Sequence, residues 1–166
     1  SLALYGGKAA DWTGPGAGIG GSALARKTKT VAVGVARHSE TIADGLDALR
    51  HVGGRELAAI AGAVVAARYR RVPILLDGFV ATAAAAALEA TRPGALDHCQ
   101  AAHVSAEPGH RRLLNKIDKA PLLDLGMRLG EASGAVLAVA VLRAAAHCHA
   151  GMATFEEAGV SGKDGG

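Results

Sequence analysis

Downstream of residue 72, short apolar runs alternate with longer Ala-rich segments, and the alternation predicts strands and helices in turn. Residues 72–76 (VPILL) form an unbroken apolar run between Arg70-Arg71 and Asp77-Gly78. A run this short, with no polar alternation, suits a strand buried on both faces of a parallel sheet. Residues 100–104 (QAAHV) are a weaker strand candidate, and residues 122–125 are either a third strand or an extended entry. Residues 79–91 predict an Ala-rich helix stopped by Pro93-Gly94. A helix from Pro108 to about Lys116 carries Pro in its first turn, where the absent N–H does no harm. Residues 132–150 predict the long helix, apolar enough to be buried.

Upstream, residues 1–5 read as the tail of a helix ending at Gly6-Gly7, and residues 8–22 (KAADWTGPGAGIGGS) as a glycine-rich loop. Ser22 is placed to cap a helix that runs to about His38. Residues 44–51 predict a short helix stopped by Gly53-Gly54, and residues 55–70 a further one. The tail from Gly159 is expected to fray. Strands alternating with helices give an α/β class with a parallel sheet. Ligands in such sheets sit beyond the C-terminal strand ends. That singles out residues 77–79, 105–110 and 126–134.

The 166 residues suffice for one domain with a core, and they contain 50% hydrophobic but only 3% aromatic residues. The 23 glycines are dispersed through loops, which argues against collagen and low complexity. A net charge of +3 is mild, and the basic clusters RYRR (68–71) and HRR (110–112) lack interleaved aromatics. A nucleic-acid surface is therefore poorly supported. Cys99 and Cys148 are expected to be buried free thiols of a cytoplasmic protein. A membrane span is not expected: residues 132–146 fall short of the roughly 18 uninterrupted apolar residues it requires, with Arg143 inside the run.

Gly16-x-Gly18-x-x-Gly21 has the spacing of a dinucleotide fingerprint, but KAADWT is a poor strand to precede it, so a nicotinamide-dinucleotide site is rejected. A phosphate loop fails as well, because no Gly-Lys-Ser/Thr closes it. The glycines can still bring backbone N–H groups to an anion at a helix start, with Lys27 one turn in. A flexible loop with a surface lysine fits the spacing equally well. His103, Ser105, Glu107 and His110 lack the spacing of zinc sites or of a hydrolase elbow. His147 and His149 flank Cys148, which is expected in the core. Glu131 precedes the most apolar segment of the chain. It is either a partly desolvated general base, with its pKa raised, or a first-turn acid favoured by the helix dipole.

Four stretches, VPILLDGFVATAAA, HVSAEPGH, PLLDLGMRLGEASGA and MATFEEAGV, follow in order at close spacing. Together they resemble the nicotinate-nucleotide:dimethylbenzimidazole phosphoribosyltransferase family, from about Asp11 to Val160. The resemblance implies a Rossmann-like parallel sheet flanked by helices, incomplete relative to the full family fold. It implies transfer of phosphoribose from nicotinate mononucleotide to 5,6-dimethylbenzimidazole or a related base, giving α-ribazole 5′-phosphate and nicotinate in cobalamin nucleotide-loop assembly. No metal or cofactor is implied.

By the resemblance, Glu131 matches the catalytic acid of a Leu-Gly-Glu-Gly-Ser/Thr-Gly motif and would take the ring N–H proton of the base. Gly16, Gly18 and Lys27 match the phosphate-holding residues. Gly78 and Phe79 lie beside the nucleotide, Ser105 and Ala106 beside nicotinate and ribose, and Leu129 and Gly130 near the base. Ala132 stands where the family has Gly, and IGGSA after Gly18 lacks an acidic pair often present there. Family members are about twice this length. The chain is thus expected to be a C-terminal portion, residues 1–166, inactive or weak alone. It would act as a homodimer or paired with an N-terminal half that carries a second glutamate and most of the benzimidazole pocket. A non-catalytic nucleotide-binding or regulatory remnant of the same fold is the alternative.

Overall fold

The computed structural model describes residues 1–16 and 18–160. Its centre is a three-stranded parallel sheet of β1 (Ile74–Leu76), β2 (Cys99–His103) and β3 (Pro121–Leu123), ordered β1-β2-β3. Ile74 pairs with Cys99, and Ala101 with Pro121. All but Gln100 of β2 is buried, as a middle strand covered on both faces requires. The two weaker strand candidates are therefore real, each shifted by about one residue.

The helices are α1 (Leu2–Tyr5), α2 (Gly21–His38), α3 (Gly45–Ala48), α4 (Gly54–Tyr69), α5 (Phe79–Thr91), α6 (Pro108–Lys116) and α7 (Ser133–Gly151). The loop predicted over 8–22 contains a 3₁₀ turn at Ala9–Asp11. Gly20, not Ser22, is the N-cap of α2, and no side chain caps it. The helix expected over 44–51 continues past α3 as a π-turn, Leu49–Gly53, and Asp44 caps α3 by accepting from Asp47 N–H at 2.9 Å. Gly53 lies inside that π-turn, and Gly54, at φ 78°, makes the break. Residues 161–166 of the predicted frayed tail lie outside the described residues, while Val160 N–H bonds back to Phe155 O at 2.9 Å.

Helix α5 explains its alanines. Ala84 through Leu88 and Thr82 are buried because α3, α4 and α6 all pack on it. Small side chains let the axes approach closely. At Gly45 any Cβ would lie 1.7 Å from Ala87 O, so only glycine lets α3 reach α5. The main core joins Trp12, Val64, Leu76, Leu88, Leu96, Cys99, Leu113 and Ile117. Cys99 is buried there, and burial pushes its thiol up to about 11, which leaves it unreactive at neutral pH.

Two expectations about α7 fail. Only Gly134 and Ala138 of α7 are buried, while Val136, Leu137, Val139, Val141 and Leu142 are exposed. Cys148 is exposed too, because the C-terminal half of α7 runs beyond the sheet it packs on. The helix is also longer than the run counted from sequence: it has 19 residues, and an 18-residue stretch of it has a mean hydropathy of 1.3, enough in length and composition to cross a membrane. Its first turns are nonetheless fastened to all three strands.

Candidate active site

A cavity of about 510 Å³ opens where the three loops at the C-terminal strand ends meet the glycine loop. Gly16, Lys27, Gly78, Phe79, Ser105, Leu129, Gly130 and Glu131 all line it. Gly18 and Ala106, also singled out from sequence, are not among the lining residues. Ala106 instead donates its N–H to Met127 O at 2.8 Å, tying the loop after β2 to the loop before α7. Gly18 donates to Pro15 O at 3.1 Å and so closes a turn.

Gly16 and Lys27 converge. A Cβ on Gly16 would lie 3.9 Å from Lys27 Nζ, and that ammonium donates to Gly14 O at 2.8 Å. The Gly16 N–H donates to Glu107 Oε1 at 2.9 Å. The Gly16 backbone and the Lys27 ammonium therefore border one hollow, groups of the kind that receive an anion. Glu107 is the unexpected member. It sits at the N-cap of α6, and its carboxylate occupies a donor that an anionic ligand would use. Gly14 packs so tightly here that a Cβ would come within 2.2 Å of Glu107 Oε2.

His110 supports the loop beneath Ser105. Its Nδ1 accepts from Ser105 N–H at 2.8 Å, so the ring proton resides on Nε2, which donates to Thr82 Oγ1 at 3.0 Å. The side chain is fully buried. Burial, reinforced by nearby His103, lowers its pKa to about 4. The folded state thus disfavours the proton that the unfolded chain accepts near pH 6.5. Stability from this group is complete above about pH 6.5 and declines as pH falls toward 4, by roughly 3 kcal/mol across that window. Urea melts at pH 7, 5.5 and 4 should show this decline in the wild type. In His110→Phe the slope should be visibly smaller.

His103 and His110 therefore serve the fold of the loops, and among the described residues no group of three His, Cys, Asp or Glu could hold a metal ion. His147 and His149 are exposed on α7, away from this cavity. Three arginines of the basic clusters are engaged locally. Arg68 donates to Ala95 O at 2.8 Å, Arg111 pairs with Asp124, and Arg112 lies 3.6 Å from Asp11 and over the Trp12 ring.

Glu131 departs from its first-turn reading and from the desolvation expected of it as a base. It lies outside α7, whose N-cap is Ala132, so it is no first-turn acid. It is also exposed, not partly desolvated. Its backbone is the notable feature: Gly130, Glu131 and Ala132 are all left-handed, at φ 79°, 54° and 60°. Side-chain-bearing residues enter that region at a cost and stay only where the surroundings hold them. Sequence reasoning placed Asp77, Glu107 and Arg128 within the site loops but gave none of them a binding or catalytic role; all three line the cavity. Position was the available signal, since each charge lies in a loop at a C-terminal strand end. A second hollow, of about 700 Å³, lies near Leu46, Arg68, Tyr69 and Arg92 and contains none of the predicted site residues.

A phosphoribosyltransferase family model matches residues 1–160. The nicotinate-nucleotide–dimethylbenzimidazole phosphoribosyltransferase of Rhizobium etli (strain CIAT 652) is 60% identical over 163 residues, covering 98% of this chain and 48% of its own length. The enzyme of that name from Brucella anthropi is 58% identical over 162 residues, with the same coverage. The crystal structure of CobT from Thermus thermophilus superposes with a TM-score of 0.89 at 45% identity, over 96% of this chain and 47% of that one. The chain spans about half the length of the curated relatives it matches. With a matching model over nearly all its length and relatives at this identity, the chain belongs to the nicotinate-nucleotide–dimethylbenzimidazole phosphoribosyltransferase family.

Proposed function

We propose that the chain is the C-terminal portion of an enzyme that transfers phosphoribose from nicotinate mononucleotide to 5,6-dimethylbenzimidazole or a related base. The products are α-ribazole 5′-phosphate and nicotinate. The observation that carries the reading is one cavity lined both by Lys27 and Gly16 and by Glu131. The phosphate would be held by Lys27 and the glycine loop, with ribose and nicotinate between Phe79, Gly78 and Ser105. The base would lie near Leu129 and Gly130, with its ring N–H toward Glu131. Glu131 accepts that proton, and the freed nitrogen forms the bond to the ribose anomeric carbon. The bond from that carbon to the nicotinate nitrogen breaks, and its electron pair leaves with nicotinate.

Glu131 and much of α7 are exposed in this chain. Water beside the carboxylate weakens it as a positioned base, so the remaining half of the relatives' length would complete the pocket. The working enzyme is a cytoplasmic homodimer in this reading. The test is a chimaera in which this chain replaces the matching part of the Rhizobium etli relative. The chimaera should release nicotinate and form the ribazole phosphate, and the chain alone should show little or no turnover. Binding of nicotinate mononucleotide by a chimaera that never turns over would instead favour a non-catalytic nucleotide-binding role.

Lys27→Ala should weaken nicotinate mononucleotide binding to the chimaera about tenfold, the loss of roughly one charge-assisted hydrogen bond. Unchanged affinity by calorimetry would remove Lys27 from the phosphate site.

A further inference from the structure

The turn that presents Glu131 has no support of its own. Three successive left-handed residues lead into α7, and the N-cap position is an alanine, with no side chain to satisfy the first N–H groups. The acceptor comes from elsewhere in the chain. Asp77, directly after β1, is 58 residues upstream, and its Oδ1 accepts from Ala135 N–H at 2.9 Å. It caps α7 across the fold.

His103, the last residue of β2, backs this cap. Its side chain is 2% exposed and its Nε2 lies 3.4 Å from the same Asp77 oxygen. Gly134 sits flat against its ring: a Cβ there would come within 2.1 Å of His103 Cδ2. The ends of two neighbouring strands thus fix both the direction and the height of the first turn of α7. Ser133 N–H then closes onto Gly130 O at 3.0 Å, completing the Glu131 turn on that base.

We propose that Asp77, backed by His103, is a positioning residue that holds the Glu131 carboxylate in place for proton transfer. This rests on the function proposed above. Asp77 acts through α7, and its side-chain amide replacement retains the needed acceptor oxygen. Asn should therefore substitute for it, and Ala should not.

The test has two arms. In the isolated chain, Asp77→Ala should speed amide hydrogen exchange over residues 130–136 at least tenfold, and Asp77→Asn should restore protection to within about threefold. In the chimaera, Asp77→Ala should lower kcat about a hundredfold with KM for nicotinate mononucleotide within about twofold, and Asp77→Asn should recover most of kcat. Unchanged exchange in Asp77→Ala would overturn the proposal, as would Asn behaving like Ala in both arms. A raised KM at unchanged kcat would make Asp77 a ligand contact and overturn it too. The exchange arm needs no turnover. If the wild-type chimaera is inactive, the function reading fails while exchange still decides whether Asp77 holds the turn.

Discussion

Glu131→Gln in the chimaera is expected to cut phosphoribosyl transfer by about 10²–10⁴-fold, with nicotinate mononucleotide affinity within about twofold of wild type. The substitution keeps the size of the side chain and an acceptor oxygen but removes its ability to take a proton at neutral pH. The nucleotide contacts are assigned to Lys27, Gly16, Phe79 and Ser105, none of which changes. The loss should therefore fall on kcat and not on binding. Steady-state kinetics with calorimetry on the same preparation separates the two. Wild-type turnover in Glu131→Gln would mean that another group accepts the proton.

The second large effect is expected at Gly134. An added methyl would overlap the His103 ring, with Cβ 2.1 Å from Cδ2 and 2.4 Å from Cγ. His103 is itself buried and backed by Asp77, so it has no free space to yield. Either the ring or the start of α7 must move. Overpacking of this kind costs about 2–3 kcal/mol, which for a chain of this size lowers Tm by about 6–10 °C. Because α7 carries the Glu131 turn, Gly134→Ala should also depress kcat in the chimaera. Gly62→Ala on α4 is the control, since a Cβ there meets nothing within 4 Å. It should leave Tm within about 2 °C.

The sheet was legible because parallel strands announce themselves as short apolar runs between turns, as ILL between Arg71 and Asp77 does. Phe79–Thr91 and the start of Pro108–Lys116 were legible to the residue, because Gly78 and Pro108 punctuate their starts and Pro93 follows one end. The site loops followed from topology, since parallel strands open their ligand crevice at the C-terminal ends.

What sequence could not supply was contact at a distance. Asp77 capping Ala135, and His103 underlying Gly134, join residues far apart in the chain through the register of β1 and β2. No local pattern encodes either contact. The π-turn at Leu49–Gly53 was hidden because its residues also suit an α-helix. Cys148 was expected in the core as a buried free thiol, but residue type says nothing about which partner covers a helix. The place of Glu131 outside α7 and its exposure were not legible, because the left-handed turn that sets them is built at Glu131 and Ala132, which give no glycine signal there.

A crystal structure of the chimaera with nicotinate mononucleotide bound decides whether Lys27 and Glu131 serve one nucleotide site. The phosphate is expected within hydrogen-bond reach of Lys27 Nζ, with the ribose anomeric carbon facing Glu131. A nucleotide seated in the hollow beside Arg68 and Arg92, with Glu131 facing empty solvent, would contradict it.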